Sequence, residues 1–310
     1  MTTDYQLVII GGGPAGLTAG LYAARAKLCV LLLEKGIHGG QITVTDWIDN
    51  YPGFPEGLSG FDLADKMAAQ AARFDLETKN ANVVSLDLAG PVKKINLEDG
   101  SQLTSQTVVI ATGARPTQLG IPGEIELIGK GVSYCATCDA PFYRNLEISV
   151  IGGGNTAVQE AIHLTKFASK VTVIHRRDQL RATKVIQEKA FANDRIEFIW
   201  NTVVTEILGD KEVEALTLQN KNGKESTLAV QGVFVLIGVQ PNNEVLPLDQ
   251  LEHKDGFIIT DKEMRTSAPG VMAAGDICWK EVRQVVNAAG EGAVATLAAD
   301  RYLEETGHKE

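Results

Sequence analysis

The stretch YQLVIIGGGPAGLTAGLYAARAKLCVLLLE, residues 5–34, sets the fold, because the same design returns as LEISVIGGGNTAVQEAIHLTKFASKVTVIH at residues 146–175. In each copy a short apolar run rich in β-formers meets a G-x-G-x-x-G/A turn, which opens a helix-compatible segment and then a second apolar run. The predicted helices cover 17–27 and 158–168, and the second strands 29–33 and 171–174. The spacing has a physical cause. The first glycine permits the tight turn, the second lets backbone approach a pyrophosphate, and the third position must be small for the helix to pack on the strand. The helix amino terminus then faces the phosphates. A repeated βαβ unit predicts two nucleotide sites.

The residue closing the second strand separates the two ligands. In the first copy it is Glu34, whose carboxylate suits a free ribose 2′-hydroxyl, as in FAD or NAD. In the second copy it is His175, followed by Arg176, Arg177 and Arg181, cations placed where a 2′-phosphate would lie. The second ligand is therefore expected to be NADPH.

The remaining segments indicate how the units join. Residues 107–112 read as a strand ending in a small-residue turn at Gly113, and 115–123 with Pro116 and Pro122 read as a linker. Residues 232–238 close the second unit, and 239–247 with Pro241 and Pro247 lead back. The sequence from 257 to 302 then supplies two more short strands and a long helix. The expected fold class is α/β: two Rossmann-like, three-layer ββα domains, with the NADPH domain (116–244) inserted in the domain of the first nucleotide, FAD or NAD (1–115 and 245–310).

Composition agrees with two cores and excludes several partners. The chain has 310 residues, 44% of them hydrophobic, and a formal charge of −10, which leaves no basic footprint for nucleic acid. The amino terminus lacks a basic n-region, and no apolar run nears the ~20 residues of a membrane span, so a soluble cytoplasmic protein is expected. Two of the four cysteines form Cys135-Ala136-Thr137-Cys138. That spacing lets one sulfur attack a mixed disulfide held by the other. Zinc would need two further ligands that the sequence does not group. Cys29 and Cys278 read as core residues, His163 and His308 as surface residues, and His38 as a loop residue near the first nucleotide.

Taken in order, Gly11–Gly16, Gly39-Gly40-Gln41, Asn50-Tyr51-Pro52-Gly53, Ala111-Thr112-Gly113, Cys135–Asp139, Gly152–Ala157, His175–Asp178 with Arg181-Ala182, and Ala274-Gly275-Asp276 with Arg283-Gln284 resemble the low-molecular-weight thioredoxin reductases over nearly the whole chain. The resemblance implies a homodimeric enzyme that moves electrons from NADPH through FAD and the Cys135–Cys138 disulfide to thioredoxin, the inserted domain rotating between half-reactions. It implies FAD contacts at Gly11, Gly13, Pro14, Ala15, Gly16, Glu34, Lys35, Gly40, Gln41, Asn50, Ala111, Thr112, Gly113, Gly275, Asp276, Arg283, Gln284 and Val285. It implies NADPH contacts at Gly152, Gly154, Asn155, Thr156, His175, Arg176, Arg177, Arg181, Ile237 and Gly238. Asp139 is the implied acid/base, Cys138 the sulfur nearer the flavin, and Cys135 the one that attacks the partner. No metal is expected. Two departures stand out: Ala140 where the family has Gly, expected to alter the partner-docking surface, and Val239 where several members have His. Alternatives are a reductase of another redoxin or peroxiredoxin system, and a non-catalytic flavoprotein redox sensor.

Overall fold

The computed structural model describes residues 3–45 and 47–307; the reading of His308 lies outside them. The chain divides into two compact units, 1–115 with 240–310, and 116–239. The expected boundaries were 115/116 and 244/245.

The first run of unit 1 comprises β1 (Tyr5–Ile10), α1 (Pro14–Arg25), β2 (Val30–Glu34), α2 (Gly60–Ala72), β3 (Glu77–Asn80), β4 (Val83–Asp87), β5 (Lys93–Leu97), β6 (Gln102–Ile110) and β7 (Ala114–Pro116). Unit 2 follows with β8 (Val132–Ser133), α3 (Ala136–Asp139), β9 (Glu147–Ile151), α4 (Asn155–Leu164), β10 (Lys170–Ile174), α5 (Lys184–Phe191), β11 (Ile196–Ile199), β12 (Thr202–Leu208), β13 (Ala215–Asn220), β14 (Glu225–Ala229) and β15 (Gly232–Val235). The return carries β16 (Val239–Pro241), β17 (His253–Lys254), β18 (Phe257–Ile258), β19 (Val271–Ala273) and α6 (Val285–Glu305). The two connecting strands, β7 and β16, pair with one another.

Each unit repeats one plan. In unit 1 the parallel strands run β3-β2-β1-β6, with β19 also parallel on β6, while β5 and β4 continue from β6 as an antiparallel meander. In unit 2 the parallel order is β11-β10-β9-β15-β8, and β12-β13-β14 form a separate antiparallel meander. Strand side chains alternate faces, so the sheet of unit 1 builds a core on each side. Leu7, Ile9, Leu32 and Val109 pack with alanines of α1 and α6 on one side. Val8, Ile10, Leu31, Leu33, Val108 and Ile110 pack against Val83, Leu86, Ile95 and Leu97 of the meander on the other. Unit 2 does the same, with Ile148, Val150, Val171 and Val173 facing α4, and Ile151, Ile174, Val233 and Val235 facing β12 and β13. Because both faces are covered, these strands read as near-continuous apolar runs. Among the described residues no helix is long and apolar enough to cross a membrane.

One cysteine reading is corrected. Cys29 is exposed, because it precedes β2 between buried Leu28 and Val30 and alternation turns its thiol outward. Cys278 is buried. His163 is half-buried, its ring against Phe167 with centroids 5.7 Å apart.

Candidate active site

The glycine turn of unit 1 is shaped by close backbone approach. Gly11 has φ +105°, and a Cβ there would strike the Ala111 carbonyl, while one on Gly16 would strike the carbonyl of Gly11. Gly13 has open space where its Cβ would be. Pro14 begins α1, where a missing N–H costs nothing, and the N-cap Gly13 offers no side chain to satisfy the free N–H groups behind it. Those donors remain available to a phosphate.

Around this turn the structure gathers the predicted first-site residues. Glu34 ends β2, where Oε2 accepts the Gly12 N–H at 2.7 Å and Oε1 the Gly36 N–H at 2.9 Å. Lys35 is exposed just beyond it. Gly40 and Gln41 open a 3-10 turn (Gly40–Val44), and a Cβ on Gly40 would sit 3.4 Å from the Gly13 Cα. Asn50 Nδ2 donates to Gln284 Oε1 at 3.1 Å. Gln284 is the N-cap of α6 and Val285 its first residue. Ala111, Thr112 and Gly113 follow β6, and Gly275 and Asp276 follow β19. Gly275 lies beside Ala15, with only 2.9 Å between a Cβ built on it and the Ala15 Cβ. Two helix N-termini thus approach the carboxyl ends of parallel strands, the usual position for a ligand in such sheets.

Buried polar atoms test whether a polar cofactor fits. His38 Nδ1, Thr112 Oγ1, Asp276 Oδ1 and Arg283 Nε are buried without a hydrogen-bond partner, and they sit on the loops after β2, β6 and β19. A polar group buried without a partner is costly, so four of them on these loops match a ligand rich in hydroxyl and phosphate oxygens. Burial raises the Asp276 carboxyl above its ordinary range, against the pull of Lys280 and Arg283. Arg283 is held by its bond to the Lys280 carbonyl at 2.9 Å and by its place over the Phe257 ring. Lys280 pairs with Glu291, which also accepts the Gly275 N–H at 2.8 Å.

The second glycine turn has the same form. Gly152 has φ +154°, and Gly154 is the side-chain-free N-cap of α4 with open space at its Cβ position. A cavity of about 500 Å³ is lined in part by Gly152, Gly153, His175, Arg176, Arg181 and Ile237. Arg176, Arg177 and Arg181 are exposed. Asn155 and Thr156 open α4, and Asn155 Oδ1 accepts the Thr183 N–H at 2.8 Å. Gly238 accepts the Thr117 N–H at 2.9 Å through its carbonyl. His175 behaves differently from the arginines. Its ring is buried against Gly153, and Nε2 lies 3.1 Å from the Gln179 carbonyl. Burial, aided by Arg177 and Arg181, lowers its pKa. The following loop is tied down as well, since the Arg181 and Ala182 N–H groups both reach the Gly153 carbonyl.

Cys135 and Cys138 are joined as a disulfide with Cα atoms 5.3 Å apart. Cys135 caps the short helix α3, and its Sγ accepts the Cys138 N–H at 3.2 Å. Asp139 ends α3, and its Oδ2 accepts from the Ser133 hydroxyl at 2.6 Å. The preceding strand is anchored by Tyr134, whose hydroxyl donates to Glu124 Oε1 at 2.9 Å. Glu124 is fully buried and also accepts the Leu119 and Gly120 N–H groups. Phe142 stands exposed beside the pair, while Tyr143 packs edge-on against Phe234. Ala140 is fully buried, so its methyl group faces the core and not a docking surface. Val239 is exposed in β16. Ser133, Tyr134, Glu124 and Glu291 were absent from the sequence reading; a Ser within the apolar run before Cys135 was the one available signal.

Residues 5–292 match the pyridine nucleotide-disulphide oxidoreductase family. A thioredoxin reductase of Peptoclostridium litorale is 47% identical, with 98% of this chain and 99% of that protein covered. The crystal structure of thioredoxin reductase from Streptococcus pyogenes is 45% identical over 98% of this chain and all of that one, with a TM-score of 0.93. The chain belongs to the thioredoxin reductases. Thioredoxin reductases of this small bacterial type use FAD and NADPH. A thioredoxin reductase of Listeria innocua is 43% identical over 97% of this chain and 94% of its own length.

Proposed function

We propose that this chain reduces oxidised thioredoxin with electrons taken from NADPH. The observation that carries this reading is the Cys135–Cys138 disulfide with Asp139 at the end of the same helical turn, in a unit that also holds the arginine-flanked glycine turn. When bound, FAD would accept a hydride from NADPH and return two electrons to the disulfide. Gly11, Gly13, Glu34, Asp276 and the N-termini of α1 and α6 would hold the FAD. Gly154 and the exposed Arg176, Arg177 and Arg181 would hold the NADPH, and His175 would brace their loop.

In the reduced pair, the Cys138 N–H directed at Cys135 Sγ favours the thiolate on Cys135. That thiolate attacks one sulfur of the partner disulfide and releases the other as a thiolate, which takes a proton from Asp139. Cys138 then gives its proton to the Asp139 carboxylate and attacks Cys135 Sγ, which frees the partner's second sulfur as a thiolate and restores the disulfide. Because the pair and the NADPH cradle share unit 2, they have to reach the flavin in turn. We read this as rotation about the linkers β7 and β16. A homodimer in the cytoplasm completes the proposal; the exposed Tyr22, Val286, Val294 and Leu297 of α1 and α6 offer it an apolar face.

Anaerobic titration with NADPH and with NADH, followed by oxidised thioredoxin, tests the assignment. NADPH should bleach the flavin at far lower concentration than NADH, and thioredoxin should restore the colour except in Cys138→Ser. If NADPH bleaches it and no thioredoxin restores it, the cofactors stand and the partner is wrong.

A further inference from the structure

We infer that Ser133 is a positioning residue for proton transfer at the cysteine pair, its single hydroxyl holding the Asp139 carboxyl against the Cys135 backbone in both protonation states. The inference rests on the reading of Asp139 as the acid.

Ser133 is the second residue of β8, 3% exposed, in a strand that pairs with β15. A hydroxyl buried there is unfavourable unless it is bonded. Its Oγ has three polar neighbours, all on the cysteine-bearing turn: Asp139 Oδ2 at 2.6 Å, the Cys135 N–H at 3.1 Å and the Cys135 carbonyl at 3.4 Å. One bond would satisfy a hydroxyl that served packing alone. Here the same oxygen bridges the N-cap of α3 and its last residue.

A serine hydroxyl has one proton and two lone pairs. With Asp139 ionised, that proton goes to Oδ2 in a short, charge-assisted bond, and one lone pair accepts the Cys135 N–H. With Asp139 protonated, the carboxyl donates to the other lone pair and the serine proton turns to the Cys135 carbonyl. No buried group need lose its partner as Asp139 gives up or regains its proton. The ionised form gains the stronger bond, so the hydroxyl also draws Asp139 toward ionisation. Other titratable groups around the turn are the cysteines themselves, the Tyr143 phenol, which burial and the charge of Asp139 raise, and Glu160 of α4. Glu160 meets Thr137 at 3.5 Å and is raised by burial.

The test is single-turnover reaction of pre-reduced, FAD-loaded protein with oxidised thioredoxin across pH, for the wild type, Ser133→Ala, Ser133→Thr, Asp139→Asn and Ser133→Ala/Asp139→Asn. General acids contribute roughly 10²–10⁴-fold; we expect a loss of about a hundredfold or more in D139N and, since a hydrogen bond to a charged group accounts for about 1.5 kcal/mol or more, about tenfold in S133A. In S133A the descending alkaline limb should move to higher pH, a shift that loss of stability alone would not produce. S133T should restore rate and limb, and S133A should add nothing in the D139N background. A wild-type rate in D139N would overturn the acid reading and this inference with it. A normal D139N defect with S133A equal to wild type, with an unmoved limb, or with equal losses in both backgrounds would overturn the inference alone. Should S133T pack poorly and melt early, S133A and the double variant still decide.

Discussion

The Glu34 carboxylate accepts the Gly12 N–H at 2.7 Å and the Gly36 N–H at 2.9 Å, so the acidic residue closing β2 ties the glycine turn to the loop beyond it. It shapes the turn, and in the proposed reading its remaining lone pairs serve a ribose hydroxyl of FAD. Glu34→Gln keeps one acceptor oxygen and should weaken FAD binding about tenfold. Glu34→Ala removes both and should weaken it about a hundredfold, the equivalent of roughly 1.4 and 2.7 kcal/mol. Equilibrium titration of the flavin-free protein with FAD measures both.

His175 and the arginines after it should separate in function. The ring is buried against Gly153 and bonded within its own loop, whereas Arg176, Arg177 and Arg181 face solvent. Arg181→Ala should raise the NADPH KM by about tenfold or more and leave NADH nearly unchanged. His175→Asn should weaken both nucleotides alike. Burial lowers the His175 pKa from 6.5, so the unfolded chain takes up the proton first. Its contribution to stability is complete above that value and is lost as pH falls below it. Thermal unfolding followed from neutral pH downward should decline less steeply in His175→Asn.

Much of this was legible in the sequence because repeated glycine turns flanked by apolar runs leave few physical alternatives. Gly11 and Gly152 both follow strands buried on two faces, and the two copies converge on one plan in each unit. What escaped depends on orientation within a run or on the burial of a polar side chain in a loop. Cys29 lies in an apolar stretch yet points outward, because alternation and not composition sets its face. Ala140 stands beside the reactive pair yet is buried, since α3 turns it toward the core of unit 2. Glu124 belongs to no motif, and only the fold shows it buried with three donors from nearby positions.

That buried carboxylate anchors the approach to the redox pair. Glu124 accepts from Leu119, Gly120 and the Tyr134 hydroxyl, and Tyr134 immediately precedes Cys135. Burial, with help from Glu124, raises the Tyr134 phenol, so it stays a donor throughout the working range. Tyr134→Phe should cost about 1–2 kcal/mol. Glu124→Ala, which leaves three donors unsatisfied, should cost about 3–5 kcal/mol. Denaturant unfolding gives both values; a loss under 1 kcal/mol in Glu124→Ala would mean that water replaces the carboxylate.

The glycines of the two turns provide a sharper test, because the structure divides them into two kinds. At Gly11, Gly16 and Gly152 a Cβ would collide with backbone, and Gly11 and Gly152 also hold positive φ. Alanine there should damage the fold itself, lowering the thermal midpoint of the cofactor-free protein. At Gly13 and Gly154 the backbone is ordinary and the space beside Cα is open. Packing alone would tolerate alanine at both, and the absence of a side chain makes sense only if a ligand comes within contact distance of the backbone. Gly13→Ala should therefore leave the apoprotein as stable as wild type while weakening FAD by tenfold or more. Gly154→Ala should keep FAD and lose NADPH by a similar factor, since a misplaced pyrophosphate forfeits about 1.4 kcal/mol or more of hydrogen bonding. Paired melting curves and nucleotide titrations on the two variants separate the effects. Weakened FAD in Gly154→Ala, or weakened NADPH with intact FAD in Gly13→Ala, would exchange the ligands between the cradles.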